Sequence, residues 1–221
     1  MMTNMFSTFD PATSTTTSMN WCMAVLGMTM MPLSFWLLPN RNMMIITKIT
    51  KSLHGEFKML MGKSSSTTMI FISLFMFILM NNIMGLMPYI FTSSSHMTFT
   101  LALALPMWVS IMLFGWINKT TMMLAHMIPS GTPPVLMPFM VMIETISNII
   151  RPGALAVRLM ANMTAGHILM ALLGEKIKSS TTIVVMIMIL QMMIMMFESA
   201  VAVIQAYVFS ILSTLYSSEV I

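Results

Sequence analysis

The stretch Ala154–Gly174, ALAVRLMANMTAGHILMALLG, is almost wholly apolar, yet it contains Arg158, Asn162 and His167. Its length matches the about 20 residues that an α-helix needs to cross the hydrocarbon core of a bilayer. An ionisable side chain in such a helix costs on the order of 2.5–3.5 kcal/mol, so Arg158 must be solvated by protein or serve as a charge. The stretch therefore predicts a membrane helix with a functional polar group.

The composition extends this prediction to the whole chain. Of the 221 residues, 57% are hydrophobic and 7% are charged, whereas soluble domains carry roughly 25% charged residues. Each span must be helical because lipid offers no partner for backbone N–H and C=O groups. We expect an all-α polytopic membrane protein in a single membrane domain, residues 1–221. It should have about five membrane helices and one interfacial amphipathic helix, and the last two membrane helices should be long and strongly tilted.

Charge and sulfur content exclude several other classes. The net charge of +4 does not indicate nucleic-acid binding, because most of the basic residues lie in segments that flank the predicted spans. A single cysteine, Cys22, excludes an intrachain disulfide and a cysteine zinc cluster. The 35 methionines are spread over all segments without paired His or Cys, which favours apolar filling over copper binding. We expect no metal site and no cofactor.

Hydropathy divides the first half of the chain into a segment and three spans. Residues 1–20 form an N-terminal segment without a basic region before an apolar core, so we expect no cleavable targeting sequence. Spans are predicted at 21–38, 67–86 and 98–117.

Residues 41–62 combine basic and apolar side chains. The apolar ones recur at helical spacing: Ile45, Ile46, Ile49, Leu53, Phe57 and Leu60. This pattern predicts an amphipathic helix in the membrane interface. Five of the ten basic residues lie between Arg41 and Lys63, whereas the loop around Ser93–Ser95 has none. The positive-inside rule therefore places the amphipathic helix on the matrix or cytoplasmic side and the N-terminus on the opposite side.

Two long helical patterns complete the chain, at 135–173 and 180–217. The first covers about 39 residues, or about 58 Å at 1.5 Å per residue, which exceeds an upright span. The second contains neither Pro nor Gly. We expect a hairpin of two strongly tilted helices that follows a curved partner.

Each long helix carries a polar stripe. Residues seven apart lie nearly on one face, with a drift of about 20° per heptad. The first stripe contains Glu144, Arg151 and Arg158, with Asn162 one turn further, and the second contains Gln191, Glu198 and Gln205.

Structural explanations for these residues stay open from the sequence alone. Arg151, next to a Pro-Gly pair, could neutralise Glu144 at a helix kink. Glu198 could form a static buried bridge with Arg158 across the hairpin. His167 could be a hydrogen-bonded packing residue.

The residue types favour proton transfer. Glu and His can load and release a proton within a few pH units of neutrality. Arg stays charged at any physiological pH and therefore supplies a fixed positive potential. Titratable groups on either side of a fixed cation fit a proton-translocating protein with two aqueous access paths. The fixed positive charge between the paths repels protons and keeps the paths from connecting.

Two stretches resemble a known family. MIETISNIIRPGALAVRLMANMTAGHILMALLG (Met142–Gly174) and FESAVAVIQAYVFSILSTLYSSE (Phe197–Glu219) are similar to the two signature helices of subunit a of the F-type ATP synthase, in its mitochondrially encoded form. The resemblance covers essentially the whole chain, and the two motifs together are highly specific. It implies the stator half of a proton channel, with no catalytic site of its own, in a proton-translocating complex.

The resemblance also implies roles for single residues. Arg158 matches the arginine that faces a carboxylate on a rotating ring of c-subunit hairpins. Glu198 and His167 match the polar pair of the half-channel on the intermembrane-space side, with Asn162 and Gln205 among its neighbours.

For the matrix side, the resemblance implies that Glu144 belongs to the second half-channel. Arg151 stands where many relatives carry Gln. The implied partners are the c-subunit ring, other Fo and peripheral-stalk subunits, protons and lipid, with no nucleic acid. The implied location is the mitochondrial inner membrane, with the N-terminus in the intermembrane space and the amphipathic helix at the matrix.

Other classes fit the residues less well. A secondary transporter would show paired, similar halves, and we find no internal repeat. A quinone-linked respiratory pump would use intramembrane lysines, which the spans lack. A membrane hydrolase would need a nucleophile or zinc motif such as G-x-S-x-G or H-E-x-x-H, and neither occurs. A structural scaffold would not explain two costly polar stripes.

Overall fold

The computed structural model describes residues 5–14, 16–32, 37–62, 67–128, 133–177 and 184–220, and we refer only to these. The regular elements of this part of the chain are all helical, which confirms the predicted all-α fold. The α-helices are α1 (Met23–Thr29), α2 (Arg41–Met61), α3 (Thr68–Gly85), α4 (Met97–Asn118), α5 (Thr120–His126), α6 (Met137–Ile177) and α7 (Val184–Val220). Short 3-10 turns occur at Met5–Phe9, Met19–Cys22 and Ser93–Ser95.

Among the described residues, four helices are long and apolar enough to cross a bilayer, namely α3, α4, α6 and α7. The predicted first span, 21–38, contains α1, and its residues 33–36 lie outside the described part. The predicted turn of the hairpin, residues 174–180, begins as a continuation of α6, which is helical up to Ile177, and its residues 178–180 lie outside the described part. With 41 and 37 residues, α6 and α7 are too long to stand upright in about 30 Å of hydrocarbon.

Helix α2 packs one face against the bundle. Its first N–H, on Arg41, donates to the side-chain oxygen of Asn40 at 2.7 Å, which caps the helix. Gly62 ends it with a φ of 61°, a conformation that favours glycine. Leu53 and Phe57 are buried, as the amphipathic pattern predicts for the inner face.

Next to these buried residues, the same apolar stripe of α2 keeps several side chains exposed, including Ile45, Ile49 and Leu60. These side chains suit a helix that lies in the membrane interface. The Oη of Tyr207 in α7 donates to Oε2 of Glu56 in α2 at 2.8 Å, which links the interfacial helix to the hairpin.

The apolar core lies where α2, α3, α6 and α7 meet. Helix α3 packs along α7, and α4 packs along α6. The most enclosed side chains of the core come from α2, α3, α6 and α7: Phe57, Ile78, Ala156, Leu159, Ala206 and Phe209. Alanines at the α3–α7 contact let the backbones approach closely, so that Nδ2 of Asn82 donates to the carbonyl of Ala202 at 3.3 Å.

This packing places different segments of the chain at the two ends of the bundle. The start of α3 lies beside α2, because His54 Nδ1 and the Thr68 hydroxyl are 3.0 Å apart. The C-terminal end of α7 reaches the same end, where the Ser217 hydroxyl contacts the sulfur of Met61. The N-terminal segment and the loop after α3 lie at the other end, against α6.

Candidate functional site

The carboxylate of Glu198 is buried and lacks a hydrogen-bond partner in the described part of the chain. Its residue is 7% exposed, and neither carboxylate oxygen has a partner among the described residues. Leaving a buried polar group unpaired is costly, and such groups in native structures call for an explanation. Glu198 lies against Gly166 of α6, where an added Cβ would come within 2.5 Å of Oε1. A side chain at this position of α6 would therefore displace the carboxylate.

His167 of α6 lines the same cavities as this carboxylate. Its imidazole is half-buried, and Nε2 has no hydrogen-bond partner within the described part of the chain. The ring of Phe9 meets it edge-on, with the ring centroids 6.5 Å apart. A hydrogen-bonded packing histidine, the alternative left open by the sequence, would need a partner for Nε2, and the described residues provide none.

A cavity of about 540 Å³ contains both titratable groups. We call it the N-terminal cavity. Its walls are the segment Ser7–Asp10, the loop Gly85–Thr92, and side chains of α6 and α7 that include His167, Gln191 and Glu198. It is large enough to hold several waters, and polar groups line it. A smaller cavity continues from His167 and Glu198 to Asn162.

Asn162 and Gln205 join the two long helices. Nδ2 of Asn162 donates to Oε1 of Gln205 at 2.9 Å. Gln205 is buried, whereas Asn162 is exposed on the outer face of α6. The bond satisfies a buried amide oxygen and extends the polar path from Glu198 toward that outer face.

A second polar cluster lies at the opposite end of the hairpin. Nη2 of Arg151 lies 3.5 Å from Oε1 of Glu144, and its Nη1 lies 2.8 Å from Oε2 of Glu219. The guanidinium also stacks over the ring of Tyr216, 5.0 Å from its centroid. A small cavity borders this cluster and His126. The ion pair of Arg151 with Glu144, one of the structural explanations left open by the sequence, is therefore present.

Glu219 belongs to this cluster, although it was not among the predicted site residues. It lies three heptads after Glu198, so the stripe of Gln191, Glu198 and Gln205 continues to it through Leu212. Following the same spacing to the end of α7 would have found it.

Arg158 lies between the two clusters along α6. At 1.5 Å per residue it is about 10 Å from Arg151 and about 14 Å from His167 along the helix axis. Its side chain is exposed, and it forms no ion pair or hydrogen bond with the described residues. A static bridge between Arg158 and Glu198, another of the structural explanations, is absent from this part of the chain. The exposed residues around Arg158 on α6 include three alanines, Ala154, Ala161 and Ala165, besides Val157 and Asn162.

The comparison with known proteins decides the family. The family model of the ATP synthase A chain matches residues 14–218. The chain belongs to this family. It is 58% identical over 225 residues to ATP synthase subunit a of Anopheles quadrimaculatus, and 59% identical over 224 residues to that of Locusta migratoria. The subunit a of Drosophila melanogaster is 57% identical over 223 residues. Each comparison covers 100% of both chains.

Membership in the ATP synthase A chain family confirms the resemblance seen in the sequence. It supports a proton-translocating role in the Fo sector of an ATP synthase, and the four apolar helices agree with a multi-pass membrane protein. The insect relatives point to a mitochondrial origin.

Proposed function

We propose that this chain is the stator subunit that provides two proton half-channels to a rotating c-subunit ring and thereby couples proton flow to ATP synthesis. The observation that carries the proposal is the separation of two polar clusters at opposite ends of α6 and α7. Between them lies the exposed Arg158, which has no ion-pair partner among the described residues. Neither cluster extends to the other through the described polar contacts.

The first half-channel is the N-terminal cavity with His167 and Glu198. A proton from the intermembrane space passes these two groups and then the Asn162–Gln205 pair, which leads to the outer face of α6. Both titratable groups lack hydrogen-bond partners in the described chain, so water or a transferred proton is free to bind them. The proton then neutralises a carboxylate of the ring.

The ring meets the outer face of α6 around Arg158. Small residues let another membrane helix approach a backbone closely, and Ala154, Ala161 and Ala165 supply such a surface. A guanidinium that stays charged favours the ionised form of a nearby carboxylate and repels a passing proton. Arg158 thus holds the ring site ionised and blocks a direct leak between the half-channels.

The second half-channel begins at the Glu144–Arg151–Glu219 cluster. After nearly a full turn in lipid as a neutral group, the ring carboxylate reaches this side and releases its proton toward the matrix. A neutral site crosses lipid at far lower cost than a charged one. The membrane potential contributes about 2.3 kcal/mol per charge per 100 mV and makes the movement directional.

This arrangement implies a location and an orientation. The chain lies in the mitochondrial inner membrane, with the N-terminal cavity open to the intermembrane space and the basic helix α2 at the matrix. Besides the ring, it contacts other Fo and peripheral-stalk subunits. The placement of α2 and the N-terminal segment at opposite ends of the bundle supports this orientation.

The test is replacement of Arg158 in the assembled ATP synthase. In inner-membrane vesicles, Arg158→Ala should abolish ATP-driven proton pumping while the complex still assembles. Arg158→Lys should also fail, because a desolvated lysine can lose its proton. Arg41→Ala, which removes an exposed arginine at the start of α2, is the control and should leave pumping intact. Unchanged pumping in Arg158→Ala would overturn the proposal.

A further inference from the structure

The N-terminal cavity has an acidic residue at its wall that the proposed mechanism does not use. Asp10 lines the cavity together with His167 and Glu198. It is exposed to solvent, whereas Glu198 is buried. Among the described residues of the lining, these two are the carboxylates, one at the surface and one inside.

The local structure holds Asp10 in this place. The backbone N–H of Ala12 donates to its Oδ1 at 3.0 Å, and Nδ2 of Asn20 donates to its carbonyl oxygen at 3.1 Å. Its neighbour Phe9 packs edge-on against the imidazole of His167. The segment is therefore anchored to the residues before α1 on one side and to α6 on the other.

The electrostatic surroundings of Asp10 favour proton capture by its carboxylate. Carboxylates are ionised at neutral pH and therefore attract protons and cations. Protons are scarce in water near neutral pH. The rate of proton entry into a narrow channel therefore rises when a surface carboxylate captures protons and passes them inward. The other titratable groups that line the cavity are His167 on α6, Glu198 on α7 and Tyr89 in the loop after α3. No lysine or arginine is found among its described lining residues to neutralise Asp10.

We propose that Asp10 is the proton-collecting residue at the mouth of the N-terminal cavity, which takes protons from the solvent and supplies them to His167 and Glu198. The inference rests on the proposed half-channel function. It assigns a role in proton delivery to the N-terminal segment, which lies outside the polar stripes of α6 and α7.

The experiment measures ATP synthesis in mitoplasts, whose outer surface corresponds to the proposed intermembrane-space side. A potassium gradient with valinomycin imposes the membrane potential, and external pH and buffer concentration are varied. Asp10→Asn should slow synthesis several-fold at high external pH in dilute buffer. Concentrated mobile buffer, or low external pH, should restore the rate, because protons then reach the cavity without collection.

Glu175→Gln is the matched control. It removes a carboxylate near the end of α6 beyond His167, on the same side of the bundle, and Glu175 does not line the cavity. This variant should behave as the unmodified complex at every pH and buffer concentration.

Two outcomes would overturn the inference. One is an Asp10→Asn rate equal to that of the unmodified complex under all conditions. The other is a loss that neither low pH nor concentrated buffer restores, since that result indicates a structural role. Arg158→Ala is assayed in parallel, because it abolishes synthesis only if the half-channel mechanism holds. If Arg158→Ala abolishes synthesis and Asp10→Asn gives either of these outcomes, the role of Asp10 is wrong and the proposed function stands.

Discussion

Arg151 in α6 and Glu219 in the last turn of α7 form an ion pair, with Nη1 and Oε2 2.8 Å apart. The same guanidinium reaches Glu144 and covers the ring of Tyr216. One side chain therefore connects two carboxylates and an aromatic ring on the two long helices. The contact fastens the C-terminal end of α7 to α6 at the end of the bundle that also holds α2.

We expect Arg151→Gln to weaken this contact without stopping transport. Glutamine keeps a hydrogen-bond donor but loses the charge, and the pair is partly exposed, so its coupling free energy should be about 1 kcal/mol. The measurement is a double-mutant cycle with Glu219→Gln, scored by the midpoint of heat inactivation of ATP-driven pumping. Additive effects of the two substitutions would contradict a direct ion pair.

Gly166→Ala should impair proton transport because it displaces Glu198. The new methyl group would lie 2.5 Å from Oε1 of the carboxylate, so one of the two must move. A displacement of this size is expected to slow pumping on the order of tenfold or more. Gly174→Ala, where nothing lies within 4 Å of an added Cβ, is the control and should pump normally. Equal rates in both variants would contradict the close contact.

Asn162→Leu should destabilise the hairpin more than the loss of one hydrogen bond suggests. It leaves the buried Oε1 of Gln205 without its donor, and an unsatisfied buried acceptor costs about 1–3 kcal/mol. Adding Gln205→Leu removes that acceptor, so the double variant should recover part of the lost heat stability. A double variant that is less stable than Asn162→Leu would contradict this account.

Glu198→Gln should slow proton transport strongly while the complex assembles. The amide has nearly the volume of the carboxylate but cannot exchange a proton in the working pH range. The loss should appear in ATP-driven pumping and in ATP synthesis alike, and external buffer should not restore it, in contrast to Asp10→Asn. Full transport rates in Glu198→Gln at all pH values would remove this residue from the path.

The helical fold and much of the polar pattern were predictable from local features. Apolar length predicted the membrane helices, and heptad spacing placed Glu144, Arg151 and Arg158 along α6. The spacing alone did not distinguish their surroundings. Arg151 is half-buried among carboxylates, whereas Arg158, one heptad later, is exposed and unpaired in the described chain. The drift of the stripe around the helix and the position of α7 separate the two.

Several site features depend on residues far apart in the sequence. The cavity combines Asp10 with Glu198, and the opposite cluster combines Arg151 with Glu219. Gly166 has no side chain that could identify it as a site residue from the sequence. Its importance comes from the carboxylate that α7 places against it.

By itself, the sequence determined that this chain is an all-α membrane protein, which residues are titratable, and on which face of each long helix they lie. These properties follow from hydropathy and from the helical repeat, both of which act within one segment. Only the tertiary structure decided which polar groups meet, which remain unpaired, and which face of α6 stays open around Arg158. Those relations depend on how closely small residues let the helices pack, and on contacts between segments that no local period encodes.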